Sequence, residues 1–273
     1  MSFTQRLRQV QMKQNSLLCI GLDVDENKIP AHLQSMENSA LEFNRQIIEA
    51  THDLVCAYKP NLAFYEAMGE TGITTLRETL KLIPKSVLTI GDGKRGDIGN
   101  TAERYAKSLF DNFGFDSITV NPYMGFDSIE PFLTNPEKGV FILALTSNSG
   151  SKDFQRLKVG TKPLYEKVVR TAKKWNKNQN IGLVVGATHP KELQHIRKIV
   201  PDMPILIPGI GKQGGDLKSA IRYGCNKHGQ LAIINVSRSI IYASSGKDFA
   251  VAARAEAKKM LKEMRLYNIC WTI

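Results

Sequence analysis

The chain has 273 residues, 42% of them hydrophobic and 23% charged, a globular composition that excludes disorder, collagen and long coiled coil. A chain of this length buries enough surface to hold a core without disulfide staples. Lys and Arg number 37 against 26 Asp and Glu, a net charge of +11. That excess favours anionic partners without saying whether they are polymers, membranes or small phosphates.

The polar, basic segment 1–15 and the short apolar stretch after it, soon interrupted by Asp23 and Asp25, do not read as a secretory signal. No window carries the long apolar run of a membrane span. Cys19, Cys56, Cys225 and Cys270 form no CxxC pair, so neither a zinc site nor a disulfide framework is expected. Cys19 and Cys56 sit in apolar runs and read as small core residues. A cytoplasmic protein is the expectation.

Short apolar runs rich in β-branched residues recur at 17–22, 54–58, 86–90, 117–120, 140–145, 181–185, 205–207 and 231–236. Their continuous rather than alternating character predicts eight buried parallel strands. Helical spacing lies between them. Ala40, Phe43, Ile47 and Ala50 share one face, as do Ile73, Leu76, Leu80 and Ile83. Further helices are expected at 101–110, 164–175, 190–199, 216–223 and 248–266, the last with Asp248 as N-cap. This alternation predicts an α/β fold. Eight units in about 250 residues match a (β/α)8 TIM barrel better than an open doubly wound sheet. No GxGxxG follows the first run, and no linker divides the chain, so residues 1–273 are expected to form a single barrel domain.

In such a barrel the polar residues after each strand converge on one site. In order they are Asp23, Lys59, Asp92 with Lys94, Asn121, Thr146-Ser147-Asn148, Thr188, Pro208-Gly209 with Gln213, and Ser237-Arg238. Carboxylates, two lysines, amides, hydroxyls and an arginine suit a polar anion. A solvated loop residue is the plain alternative for any one of them.

Residues 92–101 contain the pattern D-x-K-x-x-D, formed by Asp92, Lys94 and Asp97. Two residues apart on an extended segment, Asp92 and Lys94 leave on the same face. Carboxylates beside a lysine favour its charged form, and such an ammonium can donate a proton to a carbon that becomes basic. Spacing alone also fits a surface salt-bridge cluster, since about one random chain in twenty contains it. Farther on, a glycine-rich turn with Gln213 follows the seventh run, and Ser237-Arg238-Ser239 follows the eighth. Loops after strands 7 and 8 often bind phosphate in barrels, with glycine backbone N–H groups and a bidentate arginine. A glycine-rich turn without a ligand remains the alternative.

Gly21-Leu22-Asp23, Tyr58-Lys59-Pro60-Asn61, segment 92–101, Val120-Asn121-Pro122-Tyr123, Thr146-Ser147-Asn148, Gly186-Ala187-Thr188, segment 208–216 and Ser237-Arg238-Ser239 follow one another in order. Together they closely resemble the orotidine 5′-phosphate decarboxylase family, in its longer bacterial branch. The resemblance spans about residues 17–244. It implies a TIM-barrel homodimer that removes CO2 from orotidine 5′-monophosphate to give UMP, the last step of de novo pyrimidine nucleotide synthesis, with no metal and no organic cofactor. It also implies roles. Lys94 matches the proton donor to C6, with Asp92 beside the departing carboxylate. Lys59 and Asp23 match residues that hold the ribose and join the charged network. Asp97 matches the carboxylate contributed across the dimer, and Ile98 and Thr101 also reach the partner's site. Ser147 matches a pyrimidine contact, Gln213 and Arg238 match phosphate ligands, and Pro208 and Ser237 stand in the matching loops.

Three positions depart from the family pattern. Gly99 and Ser149 stand where proline is common, and Lys212 stands where a small residue is common. These put loop behaviour and affinity in question more than the reaction. Two other readings compete. A Mg²⁺-dependent sugar-phosphate decarboxylase or aldolase resembles the chain in D-x-K-x-x-D and the phosphate loops, but fits Lys59, Thr101 and the Gln213/Arg238 pair less well. A nucleic-acid-binding protein is suggested by the net charge. The positive residues are scattered, though, with pairs such as Lys173-Lys174 on helices, and no nucleic acid is expected as a partner. His189 opens a helix before a proline, which suggests capping or a loop role. His32, His52, His195 and His228 have no ligand spacing.

Overall fold

The computed structural model describes residues 1–211, 214–268 and 270. Eight parallel strands close into a barrel: β1 (Leu18–Gly21), β2 (Ala57–Lys59), β3 (Leu88–Arg95), β4 (Ser117–Val120), β5 (Gly139–Leu145), β6 (Ile181–Val185), β7 (Ile205–Pro208) and β8 (Ala232–Val236). Each pairs with its neighbours in sequence, and β1 closes the ring on β8 with Leu18 opposite Ile234 and Cys19 opposite Asn235. All eight expected strands are present and the (β/α)8 fold stands. A small antiparallel hairpin, Lys158–Val159 with Lys162–Pro163, is added between β5 and β6.

The core has two layers, divided by the strand pleat. Cys19, Ala57, Leu88, Ile90, Phe141, Val184, Leu206 and Ile233 fill the barrel. Alternate residues such as Leu18, Ile20, Ile118, Ile142, Leu183 and Ile234 face the helices. Period-two alternation within a run that is apolar throughout is what a strand buried on both faces requires. Cys19 and Cys56 are buried as expected.

The segment expected to be merely polar and basic is a helix, Phe3–Gln14, and it plugs the N-terminal end of the barrel. Phe3 meets Phe141 edge-on at 5.8 Å. Gln11 donates to the carbonyl of Ala232 at 2.7 Å and accepts from the N–H of Leu231 at 2.9 Å. The apolar residues packed inward are Phe3, Leu7 and Val10, joined by the polar Thr4 and Gln11, too sparse an apolar stripe to stand out in a polar stretch. The available signal was the capping box: Ser2 accepts from the Gln5 N–H while the Gln5 side chain accepts from that of Ser2.

Two expected helix details change. Of the expected face, Leu76, Leu80 and Ile83 pack on the core, and the fully buried stripe of Gly69–Leu82 extends to Gly72, Thr75 and Thr79, where the Thr79 hydroxyl accepts from the buried Asn44 amide. Asp248 stands at the N-cap of Phe249–Tyr267, yet makes no capping bond. Its carboxylate accepts the Ser244 hydroxyl instead, at 2.7 Å. Among the described residues no helix is long and apolar enough to cross a membrane.

Candidate active site

The C-terminal ends of β1 to β4 build a charged centre around Asp92. Lys59 closes β2 and Asp92 lies within β3, which runs five residues past its expected end and carries both Asp92 and Lys94. Lys59 Nζ donates to Asp92 Oδ2 at 2.7 Å, and Lys94 Nζ donates to Oδ1 at 2.7 Å. Thr119 on β4 also donates to Oδ1, at 2.9 Å, and accepts from the backbone N–H of Lys94 at 2.9 Å. Sequence reasoning missed Thr119. Its signal was a lone hydroxyl inside the apolar run 117–120, past Ser117.

Asp92 and Lys94 meet, but not by the simple alternation expected of an extended strand. The β3–β4 register shifts between Gly91 and Arg95, and Lys94 itself has φ of 45°. A lysine in the left-handed region carries strain that the surrounding bonds must hold. The bulge re-aims Lys94 so that its Nζ returns to Asp92 while its side chain stays 47% exposed at the barrel mouth.

Burial and charge act against each other here. Burial would raise the Asp92 pKa, but Lys59 and Lys94 outweigh it and hold the carboxyl well below the usual carboxylate range. Burial would likewise lower the Lys59 pKa, and Asp92, then Asp23, hold it above the ordinary lysine value. The pair is therefore ionised across the physiological range. A fixed ammonium–carboxylate–ammonium array is in place before any ligand arrives.

Asp23 follows β1, and its Oδ1 is buried with no hydrogen-bond partner among the described residues. It borders a cavity of about 100 Å3 shared with Pro208, Gly209, Asn235, Ser237 and Arg238. Ser237 donates to the Gly21 carbonyl at 3.0 Å. This seam is tight: a Cβ on Gly21 would lie 2.7 Å from that of Ser237. Arg238, exposed at the mouth, opens the short helix Arg238–Ile241 and joins no ion pair among the described residues. Asn235, a buried amide on β8, also lines the cavity and was not anticipated. Gln213 and Lys212 lie outside the described residues.

Ser147 follows β5, half-buried, against Gly186 at the end of β6. Among the described residues, Asp97, Ile98 and Thr101 make no hydrogen bond or ion pair to the Asp92 cluster of their own chain. Asp97 accepts from the adjacent Ile98 N–H at 2.9 Å. Ile98 is 56% exposed and Tyr123, on the next loop, 82%. His189 does not cap its helix, because its ring is engaged elsewhere.

The profile of the orotidine 5′-phosphate decarboxylase / HUMPS family matches residues 16–255. The chain belongs to that family. Its relatives include the orotidine 5′-phosphate decarboxylase of Dehalococcoides mccartyi strain BAV1, 52% identical over 98% of this chain and 99% of that one. That of Flavobacterium johnsoniae is 50% identical over 96% of each. The solved OMP decarboxylase of Leishmania donovani superposes with a TM-score of 0.86 at 40% identity, covering 98% of this chain and 99% of that one. Family membership accounts for the barrel.

Proposed function

We propose that the protein is a single-domain orotidine 5′-phosphate decarboxylase, converting orotidine 5′-monophosphate to UMP and CO2 in pyrimidine biosynthesis, without metal or organic cofactor. The observation that carries this reading is the Lys59–Asp92–Lys94 array. The names of relatives at about half identity over nearly the whole chain support it.

The array suits this chemistry. Loss of CO2 breaks the bond between C6 and its carboxylate and leaves the electron pair on C6. That pair lies in the ring plane and no π system delocalises it, so it needs a nearby positive charge. Lys94 supplies that charge and then a proton, which becomes the C6 hydrogen of UMP. Asp92, beside the substrate carboxylate, repels it in the ground state and loses that repulsion as CO2 departs. Thr119 and Lys59 keep Asp92 fixed, so little reorganisation accompanies the reaction. A single well-aimed group in such a site is worth about 3–4 kcal/mol.

Remote groups do the rest. Asp23, with its unpartnered buried oxygen, suits a ribose hydroxyl. Ser147 contacts the pyrimidine, while Pro208, Ser237 and Arg238, with Gln213, take the 5′-phosphate. Asp97, Ile98 and Thr101 serve the site of a second copy in a homodimer, which fits the exposure of Ile98 and Thr101 and the lack, among the described residues, of a bond from Asp97 to the Asp92 cluster. A cytoplasmic location and the absence of a nucleic-acid partner complete the proposal.

The nearest rival is a Mg²⁺-dependent sugar-phosphate enzyme of the same barrel type. Both oxygens of Asp92 are already engaged by ammonium groups and a hydroxyl, which favours the metal-free chemistry. The test follows the ultraviolet absorbance of orotidine monophosphate with purified protein, with and without EDTA. Equal loss of absorbance in both is expected. Turnover that EDTA abolishes transfers the assignment to the rival.

A further inference from the structure

Thr146, the residue before Ser147, is held on every polar side by groups from outside its strand. Its N–H donates to Gln155 Oε1 at 2.8 Å, and its hydroxyl accepts from Gln155 Nε2 at 2.9 Å. That hydroxyl donates to Asn148 Oδ1 at 2.6 Å. Its carbonyl lies 3.0 Å from His189 Nε2. The other ring nitrogen, Nδ1, lies 3.1 Å from Arg156 Nη2.

These partners settle the tautomer. A guanidinium only donates and a carbonyl only accepts. Nδ1 must therefore offer its lone pair to Arg156, and Nε2 must carry the hydrogen given to Thr146. The bridge exists in full only for the neutral imidazole. Protonation places an N–H on Nδ1 against the guanidinium and turns an attraction into a repulsion.

The bridge spans two loops of the candidate site. Arg156 belongs to the segment joining β5 to the helix Leu164–Trp175 and also pairs with Glu192 at 2.8 Å. His189 ends the loop that follows β6 and opens the helix Pro190–Ile199. The charged groups that face the ring are Arg156 from the first segment and Glu192 from the second helix, and Tyr165 packs near both of them.

We propose that His189 is a positioning residue: with its imidazole neutral it latches Thr146, and with it the Ser147 loop, and on protonation it releases that loop. This rests on Ser147 serving the pyrimidine, as argued above. It adds an acid-side control of substrate affinity, because an imidazolium has no lone pair left to accept from Arg156.

Wild type, His189→Ala and His189→Gln are compared for KM and kcat on orotidine monophosphate in assays from about pH 5 to about pH 8, the general window for histidine chemistry. Trypsin cleavage between Lys152 and Lys162 is followed at pH 8 without substrate. At pH 8, His189→Ala is expected to raise KM about fivefold to tenfold, as loss of one well-made hydrogen bond implies, with kcat less affected. It is also expected to hasten cleavage of the loop. His189→Gln keeps a donor that does not titrate, so its KM stays near wild type and lacks the rise toward acid that wild type shows. Wild-type KM and loop protection in His189→Ala, or an unchanged acid rise in His189→Gln, overturns the proposal. Lack of any wild-type turnover instead overturns the decarboxylase reading, and the trypsin comparison still decides the latch.

Discussion

Lys59, its side chain only 4% exposed, places Nζ 2.7 Å from Oδ2 of Asp92. A buried cation is tolerated only when paired, so each of these residues is the condition for the other. Asp92→Asn should destabilise the fold by about 3 kcal/mol, because it leaves the buried Lys59 without its hydrogen-bonded carboxylate and with only Asp23 as countercharge. Urea unfolding at pH 7 measures this. The double variant Asp92→Asn with Lys59→Met should recover part of the loss by removing the buried lysine charge.

The same pair sets a pH window for stability. The pKa of Asp92 is depressed in the fold, so its contribution is present above the unfolded value of about 3.9 and fades as pH falls toward the lower folded value. The pKa of Lys59 is raised, so its contribution is full below the unfolded value of about 10.4 and fades as pH rises past it. Wild type should therefore exceed Asp92→Asn in stability most clearly between these limits. Unfolding curves from pH 3 to 7 should show the two proteins converging toward acid.

Lys94 differs from Lys59 in being nearly half exposed. Lys94→Ala should leave the melting temperature within a few degrees of wild type while removing turnover, by about a thousandfold or more if the ammonium supplies the charge at C6. Paired thermal melts and rate assays separate loss of function from loss of fold.

Arg238 should act through the phosphate alone. Arg238→Ala should lower kcat/KM about tenfold to a hundredfold, the range for one charge-assisted contact. It should leave the much slower reaction of orotidine, which lacks the phosphate, unchanged. Comparing both substrates with both proteins checks this.

The proposed homodimer, with Asp97 serving the partner's site, makes a distinct prediction. Lys94→Ala and Asp97→Ala should each be inactive alone. Mixed, unfolded together and refolded, they should recover about a quarter of wild-type activity, because half of the dimers are hybrids and each hybrid has one intact site. No recovery in a mixture shown to contain hybrids contradicts the contribution of Asp97 across the dimer.

Strand count, barrel class and the Asp92/Lys94 pair were legible because hydrophobic runs and charge spacing are local signals. What escaped depends on the third dimension. The Phe3–Gln14 plug is recognisable only against the barrel floor it fills, and Thr119 matters only because β4 lies beside β3. The left-handed backbone of Lys94 comes from a register shift that no spacing rule records. Gly99 shows the reverse. Its departure from proline puts loop behaviour in question by sequence, whereas its φ of +54° is a conformation that proline cannot adopt. Gln213 and Lys212 fall outside the described residues, so the phosphate end rests on Arg238 and its neighbours.

The most direct test measures release of labelled CO2 from carboxyl-labelled orotidine monophosphate by wild type and by Lys94→Ala, both with EDTA present. Stoichiometric release by wild type, with none above background from a folded Lys94→Ala, is the predicted result. Comparable release from the two proteins, or none from wild type, contradicts the central role of Lys94 in this site.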